Sequence, residues 1–259
     1  MNRLDTGVIP MIKSKSSDFG FERVSPEEKT KRVYRIFSNV ATRYDLMNDL
    51  MSLGIHRLWK RFAVHISGVK YGDSILDIAG GTGDVTSLFH SRVGTQGYII
   101  MSDINTDMLR LGRDKLINKN IISGIDYLQA SAEAIPIRNN YFDCVNISFG
   151  LRNVTDKARA LKEMYRITRY GGCLVILEFS RVIIPLLDRI YQQYSFRVIP
   201  WLGNLVAEDK SSYQYLVESI HIHPDQESLK KMIEQAGFQN VEYHNLSGGI
   251  VAVHKGYKI

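Results

Sequence analysis

The sequence predicts an α/β fold: a mostly parallel sheet of seven strands with an antiparallel C-terminal strand and helices on both faces. Three observations carry this reading. From Ser74 onward, short apolar runs alternate with helical stretches, the texture of a parallel sheet with helical crossovers. A glycine-rich turn follows the first of these runs, where open α/β sheets place their ligand crevice. Near the C-terminus, two last runs are joined by the short turn Ser247-Gly248-Gly249, which suggests a hairpin and an antiparallel edge.

The elements follow in chain order. Residues 1–24 show no sustained period and read as a flexible arm. Residues 25–70 read as N-terminal helices that cover the site. Their first helix starts at Ser25 as N-cap, with Pro26 at the first helical position and Glu28 completing an S-x-x-E capping box. Val33, Ile36, Phe37 and Val40 then recur at i, i+3, i+4 and i+7, one apolar stripe that packs on the main domain. Residues 71–259 form that domain. Its strands are expected at 75–78, 98–101, 125–128, 144–148, 173–177, 241–243 and 250–253, with helical spacers such as 158–167. The stretch 182–206 is apolar and aromatic, interrupted by Pro185 and Pro200. It reads either as core packing or as part of a lid-like insertion at about 181–218.

Composition narrows the class. With 259 residues, 44% hydrophobic and 23% charged, the chain can bury a sizeable core and is not disordered. Cys144 and Cys173 are too few for a disulfide scaffold and form no C-x-x-C, so a reducing compartment is expected. No apolar run reaches the roughly 18 residues of a spanning helix, and the charged N-terminus does not read as a secretory signal. A cytoplasmic protein is expected, with a peripheral position at the inner face of the membrane left open. Residues 1–60 hold eleven Lys/Arg against seven Asp/Glu and contribute +4 of the net +6. That surplus fits a nucleic acid, an anionic lipid, an acidic ligand or a solvated helical surface equally well.

The segment Leu76-Asp77-Ile78-Ala79-Gly80-Gly81-Thr82-Gly83-Asp84-Val85-Thr86 carries the first chemistry. Gly81 and Gly83 allow a tight turn and a close approach of backbone to ligand. Asp103, 20 residues after Gly83 and at the end of the second strand, suits the two hydroxyls of a ribose. The dinucleotide pattern G-x-G-x-x-G fails, because Thr86 occupies its last position. The pattern Asp77-x-Ala79-x-Gly81-x-Gly83 resembles instead the first motif of class I S-adenosylmethionine (SAM) methyltransferases, which have a Rossmann-like fold. Ala79 departs from the glycine that many of them carry. The loop holding Ser131 and Ala132 would then run along the adenine.

Two longer segments are more specific. One is Tyr44-Asp45-Leu46-Met47-Asn48, continuing to Lys60; the other is Phe149-Gly150-Leu151-Arg152-Asn153, followed by Leu177-Glu178-Phe179-Ser180. From about Phe19 to Ile259 the chain resembles the UbiE/COQ5 family of C-methyltransferases. It departs at Arg169-Tyr170-Gly171-Gly172, where the family usually has Lys-Pro-Gly-Gly, a change confined to a turn. The resemblance implies methyl transfer from SAM to a ring carbon of a polyprenyl quinol: demethylmenaquinol, 2-polyprenyl-6-methoxy-1,4-benzoquinol, or both. It implies Thr82, Asp103, Ser131, Ala132 and Ser148 as cofactor contacts, joined by Asp77, Gly81 and Gly83 of the glycine motif.

A quinol ring carbon becomes nucleophilic when a hydroxyl loses its proton, so the reduced ring is the expected substrate. Arg152 and Asn153, just beyond the fourth strand, are the expected catalytic pair. Arg152 would stabilise a phenolate, because arginine stays protonated, and Asn153 would orient a water. Tyr44 either closes over SAM and the ring or packs helices on the sheet. His56 either touches the site or anchors its helix, and Asp45 and Asn48 are support or caps. No metal is expected: His221-x-His223 has no third ligand at a diagnostic distance, and His223-Pro224-Asp225 reads as a helix start. No nucleic acid is expected either, since Asn146-Ile147-Ser148-Phe149 lacks the prolines of adenine-methylating enzymes. Quinone-biosynthesis partner enzymes and a homodimer stay open, as do another small-molecule acceptor and a non-catalytic SAM-binding role.

Overall fold

The computed structural model describes residues 16–43, 46, 48, 49, 52, 54–194 and 210–259. Residues 16–24 of the expected arm form a small hairpin, β1 (Ser17–Phe19) pairing antiparallel with β2 (Glu22–Val24). Two three-residue strands give too little periodicity to read. Helix α1 (Pro26–Val40) follows, and Ser25 caps it by accepting from the Glu28 N–H at 3.2 Å. Only this half of the expected box is described. The Glu28 carboxylate accepts from Arg32 Nε at 2.7 Å, one turn on, and Arg32 also reaches Glu22 at 2.7 Å. A charge-assisted bond to arginine is stronger than one to a neutral backbone donor, and here it ties the hairpin to the helix.

Helix α2 (His56–Ser67) leads into the main domain. Its strands are β3 (Ser74–Ile78), β4 (Tyr98–Asp103), β5 (Ile125–Gln129), β6 (Phe142–Ser148), β7 (Thr168–Phe179), β8 (Gln239–Leu246) and β9 (Val251–Tyr257). Between them run α3 (Asp84–Val93), α4 (Thr106–Asn118), α5 (Lys157–Ile167), α6 (Pro185–Gln193), α7 (Lys210–His221) and α8 (Gln226–Gln235). The sheet order is β5-β4-β3-β6-β7-β9-β8, and only β9 runs against the rest. This is the predicted seven-stranded, mostly parallel fold.

Two apolar layers sandwich the sheet. Trp59, Phe89, Tyr213 and Leu216 cover one face, whereas Leu161, Met164, Leu229 and Phe238 cover the other. The central strands therefore bury both faces: Ile75, Leu76, Val145, Ile147, Val175 and Ile176 are all fully buried, which is why they read as continuous apolar runs rather than alternating ones. The departure at Tyr170 lies in an outward bulge of β7. There Gly171 takes φ +77° and Tyr170 is exposed, far from the strand ends that build the cleft. Asp225 caps α8 by accepting from the Ser228 N–H at 2.8 Å, the helix start expected after His223.

The chain switches direction at β3: β4 lies on one side of it and β6 on the other. That leaves a crevice beyond the ends of these strands, and α1 lies across it. Asn105 makes the junction. Its Oδ1 accepts from the Asp107 and Met108 N–H groups at the start of α4, and its Nδ2 donates to the Tyr34 carbonyl and Ser38 Oγ of α1, both at 3.0 Å. Asn105→Ala removes a helix cap and leaves the Tyr34 carbonyl without this donor. We expect a loss of about 2 kcal/mol in unfolding free energy, measured by chemical denaturation.

Candidate active site

The glycine turn is shaped by its neighbours. Ala79, Gly81 and Gly83 have φ of +52°, +55° and +77°, so the backbone N–H groups turn inward before α3 begins. A Cβ at Gly112 of α4 would lie 2.6 Å from the Gly81 carbonyl, so this glycine lets helix and loop meet. Asp77, fully buried, accepts from Thr86 Oγ1 at 2.6 Å and from Asn146 Nδ2 at 2.7 Å. It thereby pins β3 to α3 and β6, and both its carboxylate oxygens are occupied. Asp103 accepts from the Gly81 N–H at 3.1 Å and the Asn105 N–H at 2.9 Å. Burial pushes both carboxyls up to about 6, against the opposing pull of these hydrogen bonds.

The cleft above the loop has about 890 Å³ of empty space, part of it open to solvent. Thr30, Val33, Tyr34 and Phe37 of α1 form one wall. Gly81, Asp103, Ser131 and Ala132 form the floor and side, with Phe149 and Asn153 opposite. A smaller adjoining recess is lined by Lys60, Asp77, Thr82, Asp84 and Ser148. Asp84 meets Lys60 at 3.0 Å and Lys115 at 2.8 Å. Burial alone would raise its carboxyl, but the two ammonium groups outweigh burial and hold it well below the usual carboxylate range.

The residues expected to contact the cofactor, Asp77, Gly81, Thr82, Asp103, Ser131, Ala132 and Ser148, line these two connected spaces. Gly83 sits just behind as the N-cap of α3. Asn153 faces the cleft. Arg152 does not line it: its side chain is 2% exposed and its Nη1 donates to Glu178 Oε1 at 2.8 Å and to the Phe149 carbonyl at 2.6 Å. Glu178 Oε2 also accepts from the Arg152 N–H at 3.2 Å. The guanidinium thus braces the turn from behind through Nη1. His56 takes the anchoring position, its Nε2 3.0 Å from Asp49 Oδ1. Burial, with the Lys60 charge, depresses its basicity. Tyr44 and Asp45 lie outside the described residues.

Asn105 and Tyr215 gave no signal in the sequence and enter through contacts with residues distant in the chain. Lys60 and Glu178 lie inside the two longer segments, but their partners Asp84 and Arg152 could not be read from them. Gly112 carried a usable signal, since glycine inside a helical pattern calls for a packing reason. Among the described residues, no group of three or more His, Cys, Asp or Glu is placed to hold a metal ion.

Comparison with known proteins agrees with this geometry. The model of the ubiE/COQ5 methyltransferase family matches residues 25–258. A protein of Francisella philomiragia, named ubiquinone/menaquinone biosynthesis C-methyltransferase UbiE, is 55% identical over 245 residues, 95% of this chain and 98% of its own. A Yersinia enterocolitica protein of the same name is 54% identical over 243 residues, 94% and 97% of the two chains. Among solved structures, a SAM-dependent methyltransferase of Thermotoga maritima superposes with a TM-score of 0.63 at 20% identity, covering 87% of this chain and all of that one. One from Aquifex aeolicus gives 0.59 at 16%, covering 83% and 98%. These two share the fold. The chain belongs to the ubiE/COQ5 methyltransferase family and is a SAM-dependent methyltransferase.

The Asp103 carboxyl generates a pH prediction. If it accepts from ribose hydroxyls, as the sequence leads one to expect, it must be ionised, so affinity is full above its pKa and is lost as the pH falls through about 6. SAM binding should weaken roughly tenfold between pH 7 and pH 5. Calorimetric titration of the wild type and of Asp103→Ala, whose residual binding should lose this dependence, checks it.

Proposed function

We propose that the chain transfers the methyl group of SAM to a ring carbon of a demethylated polyprenyl quinol, either demethylmenaquinol, 2-polyprenyl-6-methoxy-1,4-benzoquinol, or both. The observation that carries this reading is the placement of Phe149 and Asn153, from the Phe-Gly-x-Arg-Asn segment, in the same cleft as Gly81 and Asp103. The names of the 55% and 54% identical relatives support it.

Bound SAM supplies a methyl group on a positive sulfur that departs as a neutral thioether. The residues of the chain align the partners and prepare the ring. Asp103, the Gly81 turn and the Ser131–Ala132 backbone hold the nucleoside. Val33, Phe37 and Phe149 offer apolar contact to a ring and exclude water, and alignment of this kind lowers barriers by several kcal/mol, up to roughly 7–11. Asn153 provides the polar group beside the ring. A quinol oxygen gives up its proton, the ring carbon takes the methyl group, and loss of the proton on that carbon restores the aromatic ring. Arg152 acts through the turn it braces. Tyr44 closes over the ring.

We also place the enzyme at a bilayer surface. Leu58, Ile183, Ile184 and Leu186 are exposed apolar side chains. They flank the turn Ser247–Gly249, which joins them through Trp59 Nε1 to Ser247 Oγ at 3.0 Å and the Ile183 N–H to the Gly248 carbonyl at 2.9 Å. This turn precedes β9 and so lies at the same end of the sheet as the cleft. No helix among the described residues is long and apolar enough to cross a membrane. Partner enzymes and a homodimer are compatible with this position.

Labelled SAM should methylate the chemically reduced demethylmenaquinol or benzoquinol in detergent and leave each oxidised quinone unlabelled. Label in the quinones, or no product from either quinol while SAM binds, would refute the reading. Vesicles rich in phosphatidylglycerol should co-sediment the protein, and Leu58→Glu with Ile184→Glu should release most of it.

A further inference from the structure

Tyr215 of α7 is 4% exposed and lies 62 positions along the chain from Asn153, and its hydroxyl donates to Asn153 Oδ1 at 3.1 Å. Its ring stacks on Phe19 of β1, with centroids 4.4 Å apart and planes 20° from parallel, which fixes where the hydroxyl points. A buried phenol must place its proton on an acceptor, and Asn153 Oδ1 is the acceptor described for it. That settles the amide orientation: Oδ1 faces Tyr215, and the Nδ2 group, for which no protein acceptor is described, is left for the cleft that Asn153 lines. Burial and the nearby Glu178 carboxylate raise the Tyr215 phenol well above its usual range despite the Arg152 charge, so it stays a donor at every working pH.

We propose that Tyr215 is a positioning residue: its hydroxyl holds the Asn153 amide so that the NH2 donates to a hydroxyl oxygen of the bound quinol and favours the ionised ring. This rests on the quinol reading above. It differs from a water-orienting Asn153 in assigning the amide a direct bond and in giving that bond a determinant on another element. No group leaves the protein and no proton is lost from Tyr215. The quinol proton goes to solvent, and the amide only stabilises the charge that remains.

The isosteric variant Tyr215→Phe deletes the donor and keeps the stack on Phe19. The expected result is a roughly tenfold fall in kcat at pH 7, recovered at higher pH as the rise of the kcat profile moves up by about one pH unit. SAM affinity and the quinol KM should stay within about twofold. Asn153→Ala, which deletes the NH2 itself, should give the same displaced profile. A profile superimposable on that of the wild type, or a fall of equal size at every pH, would overturn the proposal.

A second readout needs no turnover. A 1-naphthol bearing a short alkyl tail, with SAM absent, reports its own ionisation by phenolate absorbance. The wild type should lower its bound pKa relative to solution, and Tyr215→Phe should return it towards the solution value. Equal values in the two proteins would overturn the role of Tyr215 while leaving the quinol reading standing. No binding of the naphthol to the wild type would overturn both.

Discussion

The cleft depends on one buried carboxylate. Glu178 lies at the end of β7 and receives the Arg152 guanidinium, the Arg152 N–H and the Phe179 N–H. Arg152 in turn holds the Phe149 carbonyl, and Phe149 takes φ +56°, a conformation costly for a side chain of that size. Two charges 2% exposed are expensive to bury, and removing either leaves the other uncompensated at a cost of about 3–5 kcal/mol. The pair therefore locks the 149–153 turn. With the Phe149 N–H bond to the Leu177 carbonyl at 2.7 Å, it holds Phe149 beside the glycine loop.

Helix α1 is fastened differently. Its attachments to the cleft rim are polar: Tyr34 to Thr106, Ser38 to Asp107, and Lys29 Nζ to the Val154 carbonyl at 3.1 Å. Lys29 is buried, and burial with the nearby Lys157 charge depresses its ammonium to about 8. Each such bond contributes modestly on balance, because water competes for the same groups once the helix lifts. The apolar stripe supplies the rest, with Val33 and Val40 buried and Phe37 packed against the core. Val33 and Phe37 also line the cleft. In the proposed reading, a wall built this way would exclude water from a bound ring, and its polar attachments would let it separate from the sheet at modest energetic cost.

The fold and the glycine-loop side of the cleft were legible because their signals are local. Continuous apolar runs bounded by turns announce buried parallel strands. Asp77, Gly81, Gly83 and Asp103 sit at spacings that one strand-turn-helix-strand unit imposes. The quinol half was legible as a motif but not as an arrangement. Arg152 reads as a free cation beside a cleft, because its partner Glu178 is 26 residues away and only the pairing of β6 with β7 brings them together. Tyr215 gives no hint at all, since its role requires α7 to cross behind the 149–153 turn. The capping box held at Ser25, but the Glu28 carboxylate bonds Arg32, a choice that follows from charge, which the spacing rule ignores.

The carboxylates around the glycine loop divide the site electrostatically. Asp84 is satisfied within the protein by Lys60 and Lys115. Asp77 and Asp103 have no cation among their described bonding partners, only neutral donors, and burial holds their carboxyls up near 6. A buried carboxylate paid for only by neutral donors is a store of unfavourable desolvation energy. At Asp103 a ligand that brings hydroxyl donors relieves it, and a positive sulfur nearby lowers the energy of both charges. In the proposed reading, a nucleoside bound at Asp103 would then stabilise the loop that binds it. Asp103 and the Arg152–Glu178 brace share no hydrogen bond among those described, so in the proposed reading a change at one would leave the bonds of the other intact.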